Sequence, residues 1–208
     1  MTSDREAGGE ATTSLKEHQQ RIAKRKSLLS DKLKSGLSSK SRIVLEIGCG
    51  HGHWLTDFAA ANKELFCVGI DLIGNRIDRA NRKASRAGLV NILFLKAEAS
   101  EFLDQLPVGL AIESVFILFP DPWPKKRHWK NRIMNAGFLD VLSDRCLEGA
   151  RLHFRTDHRE YFDWASNAAA SAGKWNLLSD TPWPFERETV FQSKADSYQS
   201  LIVEKRKI

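Results

Sequence analysis

The sequence predicts an α/β domain built on a mainly parallel sheet, with helices on both faces and an antiparallel hairpin at the C-terminal edge. Three observations predict it. Apolar runs of strand length alternate with helical stretches from Ile43 onward. Runs such as Val115 to Leu118 are continuously apolar, as strands covered on both faces require. The first run feeds a glycine-rich turn that opens a helix.

Taken in order, Ile43 to Ile47 is a short apolar strand that ends at Gly48. His53 to Ala61 is a helix, and Leu65 to Ile70 a second strand. Gly74 to Ala87 reads as a basic helix carrying Arg76, Arg79, Arg82, Lys83 and Arg86. Ile92 to Leu95 is a third strand and Ser114 to Phe119 a fourth. Arg132 to Cys146 makes a helix closed by Gly149, and Arg151 to Phe154 a fifth strand. His158 to Ser171 is a helix stopped by Gly173. Beyond the proline-containing loop Thr181 to Pro184, Val190 to Phe191 and Tyr198 to Val203 can pair as the antiparallel hairpin.

Residues 1–13, rich in Gly, Ser, Thr and charge, are expected to be disordered. Residues 14–41 follow as a unit. Ser14 to Lys34 could be a polar helix with Lys16, Arg21, Lys24, Arg25 and Lys26, serving either as a solvated face or as an arm that reaches nucleic acid. Ser35 to Ser41 is a serine-rich linker. Residues 42–208 are long enough for one sizeable core and are read as a single domain.

A net charge of +6 favours an anionic partner, RNA or DNA before membrane. The three cysteines, Cys49, Cys67 and Cys146, form neither a disulfide framework nor a metal-ligand spacing. A reducing, cytoplasmic setting is therefore expected. The polar start of the chain lacks a signal-peptide core, and no run is long enough to span a bilayer. The histidines at 51, 53, 128, 153 and 158 have no ligand context, so no metal is expected. Both monomer and homodimer remain open.

Chemistry enters at the strand ends. Val44-Leu45-Glu46-Ile47-Gly48-Cys49-Gly50-His51-Gly52 joins a strand to a helix through three glycines. Glycine lets backbone turn sharply and approach a ligand closely. The spacing G-x-G-x-G differs from the G-x-G-x-x-G of dinucleotide binders. Asp71 closes the second strand, where a carboxylate can accept both ribose hydroxyls of a nucleoside cofactor. Glu98 follows the third strand and could accept the exocyclic amine of adenine. A structural turn with two surface acids would explain each feature singly, but not three at successive strand ends. This pattern resembles the Rossmann-like, S-adenosylmethionine-dependent methyltransferases. Glu46, just ahead of the glycines, fits that class, either bracing the loop or meeting the cofactor's ammonium group.

The run Phe119-Pro120-Asp121-Pro122-Trp123-Pro124-Lys125-Lys126-Arg127-His128-Trp129-Lys130-Asn131-Arg132 places an acid between prolines at a strand end. Lysines and arginines follow at once. Singly, Asp121 could be a turn former, Trp123 a hydrophobic plug and the cations a solvated face. Together, next to a cofactor pocket, they suggest chemistry on a base within nucleic acid. Trp123 and Trp129 are candidates for stacking or for packing, whereas Trp54, Trp164 and Trp175 are read as packing residues.

This string resembles the signature of the bacterial tRNA (guanine-N7-)-methyltransferase family, and Phe154-Arg155-Thr156-Asp157 and Thr189-Val190-Phe191-Gln192 match it further. The resemblance covers roughly Ile43 to the C-terminus. It implies methyl transfer from S-adenosylmethionine to N7 of guanine 46 in the variable loop of tRNA. It also implies that Glu46, Asp71, Glu98 and Asp121 line the cofactor site with Gly48, Gly50 and Gly52. Asp121 matches the catalytic position. Lys125, Asp157, Thr189, Val190, Phe191 and Gln192 match substrate-binding positions, with Gln192 standing where the family usually has Glu. An amide still accepts a hydrogen bond but brings no charge. Lys126, Arg127, Lys130 and Arg132 are expected on the RNA backbone.

Two competing readings remain. Asp121-Pro122-Trp123 also resembles the Asp/Asn-Pro-Pro-aromatic motif of exocyclic-amine (adenine N6) methyltransferases, against which the long basic extension and the tail motif argue. A non-catalytic RNA-binding module of the same fold is the other, and the four cofactor-site acids argue against it.

Overall fold

The computed structural model describes residues 4–187, 192 and 195–207. Burial of apolar strands on both faces produces a seven-stranded sheet. Its strands are β1 (Arg42–Ile47), β2 (Cys67–Asp71), β3 (Ile92–Lys96), β4 (Ala111–Leu118), β5 (Cys146–Thr156), β6 (Trp175–Leu178) and β7 (Gln199–Lys205). The order is β3-β2-β1-β4-β5-β7-β6. The first five run parallel, and β7 lies antiparallel to both β5 and β6. Strand order reverses between β1 and β4, which opens a crevice at their C-terminal ends.

The helices are α1 (Asp4–Leu37), α2 (His53–Ala61), α3 (Gly74–Arg86), α4 (Ala99–Gln105), α5 (Ala136–Arg145) and α6 (Arg159–Ser171), with a 3₁₀ turn at Lys126–Asn131. One apolar layer joins α1, α4, α5 and α6 to the sheet through Leu33, Phe102, Leu139 and Tyr161. The other seats α2 and α3 through Trp54, Phe58 and Ile77, and is completed by Trp183 and Phe185 from the loop after β6.

Four features differ from the sequence expectations. Helix α1 takes in residues 4–13 and runs through Leu37, so the connection to β1 shrinks to residues 38–41. Leu29, Leu33 and Leu37, spaced four apart, bury one stripe of its C-terminal half. Arg25 and Lys26 tie α1 to Glu101 and Asp104 of α4. Helix α4 was not anticipated. It buries Ala99, Phe102 and Leu103, and Leu106 just beyond it, an i, i+3, i+4, i+7 pattern too short to stand out. Helix α5 begins four residues later than expected, because the Asn135 side chain accepts the Phe138 N–H at 3.0 Å and caps it there. The hairpin partner of β7 is Trp175–Leu178. Trp175 is buried and donates its indole N–H to the Leu139 carbonyl at 2.9 Å, which pins that strand at the edge. The expected partner, Val190 to Phe191, lies outside the described residues. Among those residues, no helix is long and apolar enough to cross a membrane.

Candidate active site

The glycine loop leaves β1 at the crevice. Gly48, Gly50 and Gly52 have φ of 77°, 54° and 66°. A Cβ at Gly48 or Gly50 would meet nothing within 4 Å, so this backbone borders open space. At Gly52 a Cβ would fall 2.6 Å from the Phe94 ring and 2.7 Å from the Ala80 Cβ, so its role is close packing. The loop is held to β2 by Gly48 N–H and Cys49 N–H, which donate to the Ile70 carbonyl at 2.8 and 3.0 Å.

Asp71 is buried at the end of β2, and its two oxygens are already engaged. Oδ2 accepts Gly50 N–H at 3.0 Å and Oδ1 accepts Ile73 N–H at 2.8 Å. Arg76, a residue the sequence reading gave no role here, stands 3.6 Å from Oδ2. Each oxygen keeps a second acceptor position, so bracing the loop and receiving a hydroxyl are compatible.

Glu46 is 4% exposed, and its Oε2 is buried without a partner among the described residues. Burial, and then the negative Asp71, push its carboxyl up to about 8. A buried acid two residues ahead of the open glycine loop suits a cationic ammonium group, which would restore its charge. The linkage has a defined sign. Folded Glu46 holds its proton up to about pH 8, against an ordinary value of 4.5. The folded state binds more protons between these values, so stability falls as pH rises through that window. Glu46→Gln should flatten this dependence in urea titrations of the cofactor-free protein. An unchanged pH slope would show that Glu46 is not its source.

Glu98 caps α4. Its Oε2 accepts Glu101 N–H at 3.0 Å and the Ser100 hydroxyl at 2.6 Å. Burial alone would raise its carboxyl, but these hydrogen bonds outweigh burial and hold it below the usual range. Its position after β3 agrees with the sequence reading, and the structure adds a structural duty.

Asp121 and Asp157 stand at the ends of β4 and β5, neighbouring parallel strands in register at Leu118 and Arg155. Both are exposed. The corner around Asp121 is flanked by two left-handed residues, Phe119 at φ 50° and Trp123 at φ 45°. Such geometry costs about 1–3 kcal/mol per residue and persists only where the surroundings impose it. Phe119 N–H donates to the Arg155 carbonyl at 2.8 Å, and Phe119 is buried. Trp123 is half-buried, edge-on to His128 at 5.8 Å.

Lys125, Lys126, Arg127 and Lys130 are exposed beside this corner. Arg132 is not, which corrects its assignment to the RNA backbone. It is 1% exposed, and its guanidinium sits against the rings of Trp129, Tyr161 and Trp164. Trp129 is thereby a packing residue, edge-on to Trp164 at 5.4 Å.

Thr189, Val190 and Phe191 lie outside the described residues. Gln192 donates its amide to the Tyr198 hydroxyl at 3.1 Å. Arg155 holds described residues on either side of that motif. It forks onto Glu186 at 3.0 and 2.6 Å, donates to Ser200 Oγ at 2.9 Å, and lies 3.8 Å from the Trp183 ring centre. The sequence showed Arg155 inside a matching motif but offered no reason to bury it.

A family model described as "Putative methyltransferase" matches residues 40–206. A tRNA (guanine-N(7)-)-methyltransferase of Halorhodospira halophila is 40% identical over 121 residues, 58% of this chain and 52% of that protein. One from Mycolicibacterium paratuberculosis is 31% identical over 174 residues, covering 79% and 65%. The chain thus spans between about half and two thirds of the length of these curated relatives. Among solved structures, the aminoglycoside resistance methyltransferase NpmB1 superposes with TM-score 0.57 at 19% identity, covering 85% of this chain and 93% of that one. A 16S rRNA (adenine(1408)-N(1))-methyltransferase from Catenulisporales acidiphilia, solved with cosubstrate SAM, gives 0.58 at 17%, covering 86% and 92%. The strand order, the glycine loop at the switch point and these superpositions describe a Rossmann-like methyltransferase fold, and with four fifths of its length matched by one family model, the chain belongs to that methyltransferase family.

Proposed function

We propose that this chain transfers a methyl group from S-adenosylmethionine to N7 of guanine in tRNA, at a variable-loop guanine, and acts in the cytoplasm. The observation that carries this reading is one juxtaposition. The open glycine loop with its orphaned Glu46 carboxyl adjoins a strand end that presents Asp121 beside exposed cations. The naming of both relatives as tRNA (guanine-N(7)-)-methyltransferases supports the substrate.

Glu46, the glycine loop, Asp71 and Glu98 would hold the cofactor. When bound, S-adenosylmethionine would supply a methyl already activated on sulfur, available to the in-plane lone pair of N7. Guanine N7 carries no proton at neutral pH, and no strong base is needed. The protein's own task is to place the base in line and to stabilise a purine that becomes cationic. Asp121, with Asp157 on the next strand, can orient guanine through its N–H groups and oppose that charge. Lys125, Lys126, Arg127 and Lys130 would meet phosphates, and the tail motif Thr189 to Gln192 would complete the substrate side. A guanine in a loop suits this site better than one in a helix, whose narrow major groove hides N7.

The test is methylation of unmodified tRNA, followed by nuclease digestion and mass spectrometry of the product. N7-methylguanine in a variable-loop fragment is expected. Methyl on an exocyclic amine would replace this reading with the adenine-type alternative, and absence of cofactor binding would favour a non-catalytic RNA-binding module.

The cationic strip makes a separate prediction. Affinity for tRNA should fall with salt by a log–log slope of about 0.7 per phosphate contacted. Replacing Lys126 and Arg127 together by Ala should reduce that slope by about one to one and a half. Folding and cofactor affinity should stay near wild type, because exposed charges contribute little to stability. A wild-type salt slope in the double variant would move the RNA elsewhere, most simply to the basic helix α3.

A further inference from the structure

Arg132 is enclosed, yet it reaches the loop that carries Asp121. Its guanidinium carbon lies 4.6 Å from the Trp129 ring centre, 5.0 Å from Tyr161 and 5.4 Å from Trp164. Nη2 is 3.4 Å from Glu160 Oε1, a half-exposed carboxylate. Nε donates to the Pro122 carbonyl at 2.9 Å. That carbonyl belongs to the residue between Asp121 and the left-handed Trp123. Among the described residues, no other side chain makes a hydrogen bond to the segment 120–123.

Three ring faces and one carboxylate offset part of the cost of a cation that has lost its water, while its Nη1 is buried without a hydrogen-bond partner among the described residues. A planar guanidinium can stack among rings while aiming one N–H in a fixed direction, which a lysine ammonium on its flexible stem does not do. The Pro-Asp-Pro-Trp corner needs such an anchor. Its two left-handed neighbours would relax if nothing imposed them.

We infer that Arg132 is a positioning residue: by holding the Pro122 carbonyl from inside the aromatic cage, it fixes where the Asp121 carboxylate points. This rests on the reading of Asp121 as the group that faces the guanine. It also explains how one basic run can serve two purposes, with the lysines outside and the last arginine turned in.

Two variants test it. Arg132→Met fills the cage with a polarisable side chain but has no donor, and Arg132→Lys keeps the charge without the fixed Nε–H. Melting temperature identifies the folded variants. In either, tryptic cleavage after Lys126 or Arg127 should rise at least tenfold. Turnover at saturating tRNA and S-adenosylmethionine should fall at least tenfold. The dissociation constant for S-adenosylmethionine and the salt slope for tRNA should not change. Wild-type cleavage and turnover in a folded variant would overturn the inference. So would a salt slope reduced by about 0.7, the mark of a lost phosphate contact. Asp121→Asn, assayed in parallel, separates the two readings. If it turned over like wild type, the role of Asp121 would fail, while cleavage in the Arg132 variants would still decide whether the anchor exists.

Discussion

Asp121→Asn should lower turnover on tRNA by about a hundredfold, and by a larger factor than it lowers cofactor affinity. The amide keeps the shape of the side chain and one acceptor oxygen but loses the negative charge. Charge opposed to a developing cation acts mainly in the transition state, where removing one aimed electrostatic partner typically costs two to three orders of magnitude. Asp121 is exposed and makes no structural hydrogen bond among the described residues, so folding should be unaffected. Single-turnover methylation and calorimetric titration with S-adenosylmethionine separate the two quantities. Equal losses in both would place Asp121 in the cofactor pocket only, and unimpaired turnover would make it a turn former.

Asp71→Ala should weaken S-adenosylmethionine binding by well over tenfold. Hydrogen bonds to a charged carboxylate contribute about 1.5–3 kcal/mol each, and two to a ribose are expected here. The structure adds a second loss, because Gly50 N–H and Ile73 N–H would also lose their acceptor. Asp71→Asn separates these effects. It retains an acceptor for one loop N–H, so its melting temperature should lie closer to wild type while its cofactor affinity stays low. Wild-type affinity in both variants, measured by calorimetry, would take Asp71 out of the site.

The strand ends were readable because their signals are local. A glycine triplet after an apolar run, an acid closing each of the next strands and a proline-bounded Asp121 need no distant partner to be recognised. The five parallel strands follow from the same short-range pattern, although β5 begins at Cys146, five residues ahead of its expected start, and takes in Gly149, which was expected to close the preceding helix. Helix α4 shows the limit: seven residues with three buried positions carry too little periodicity to announce themselves. The partner of β7 shows another, since Trp175–Leu178 is a strand only because Trp175 finds a buried site against α5.

Arg132 and Arg155 mark the division most sharply. Both sit in motifs that sequence reading attached to the substrate, and both are buried. The order of residues suffices to show that cations gather after Trp123 and that an arginine precedes Asp157. It does not show which cations face water. That choice depends on rings contributed by Tyr161, Trp164 and Trp183, from 28 or more positions away along the chain. Periodicity, turn chemistry and strand-end acids are properties of neighbouring residues, so they are written in the linear sequence. The burial of a charge is a property of whatever packs around it, and only the folded chain brings those groups together.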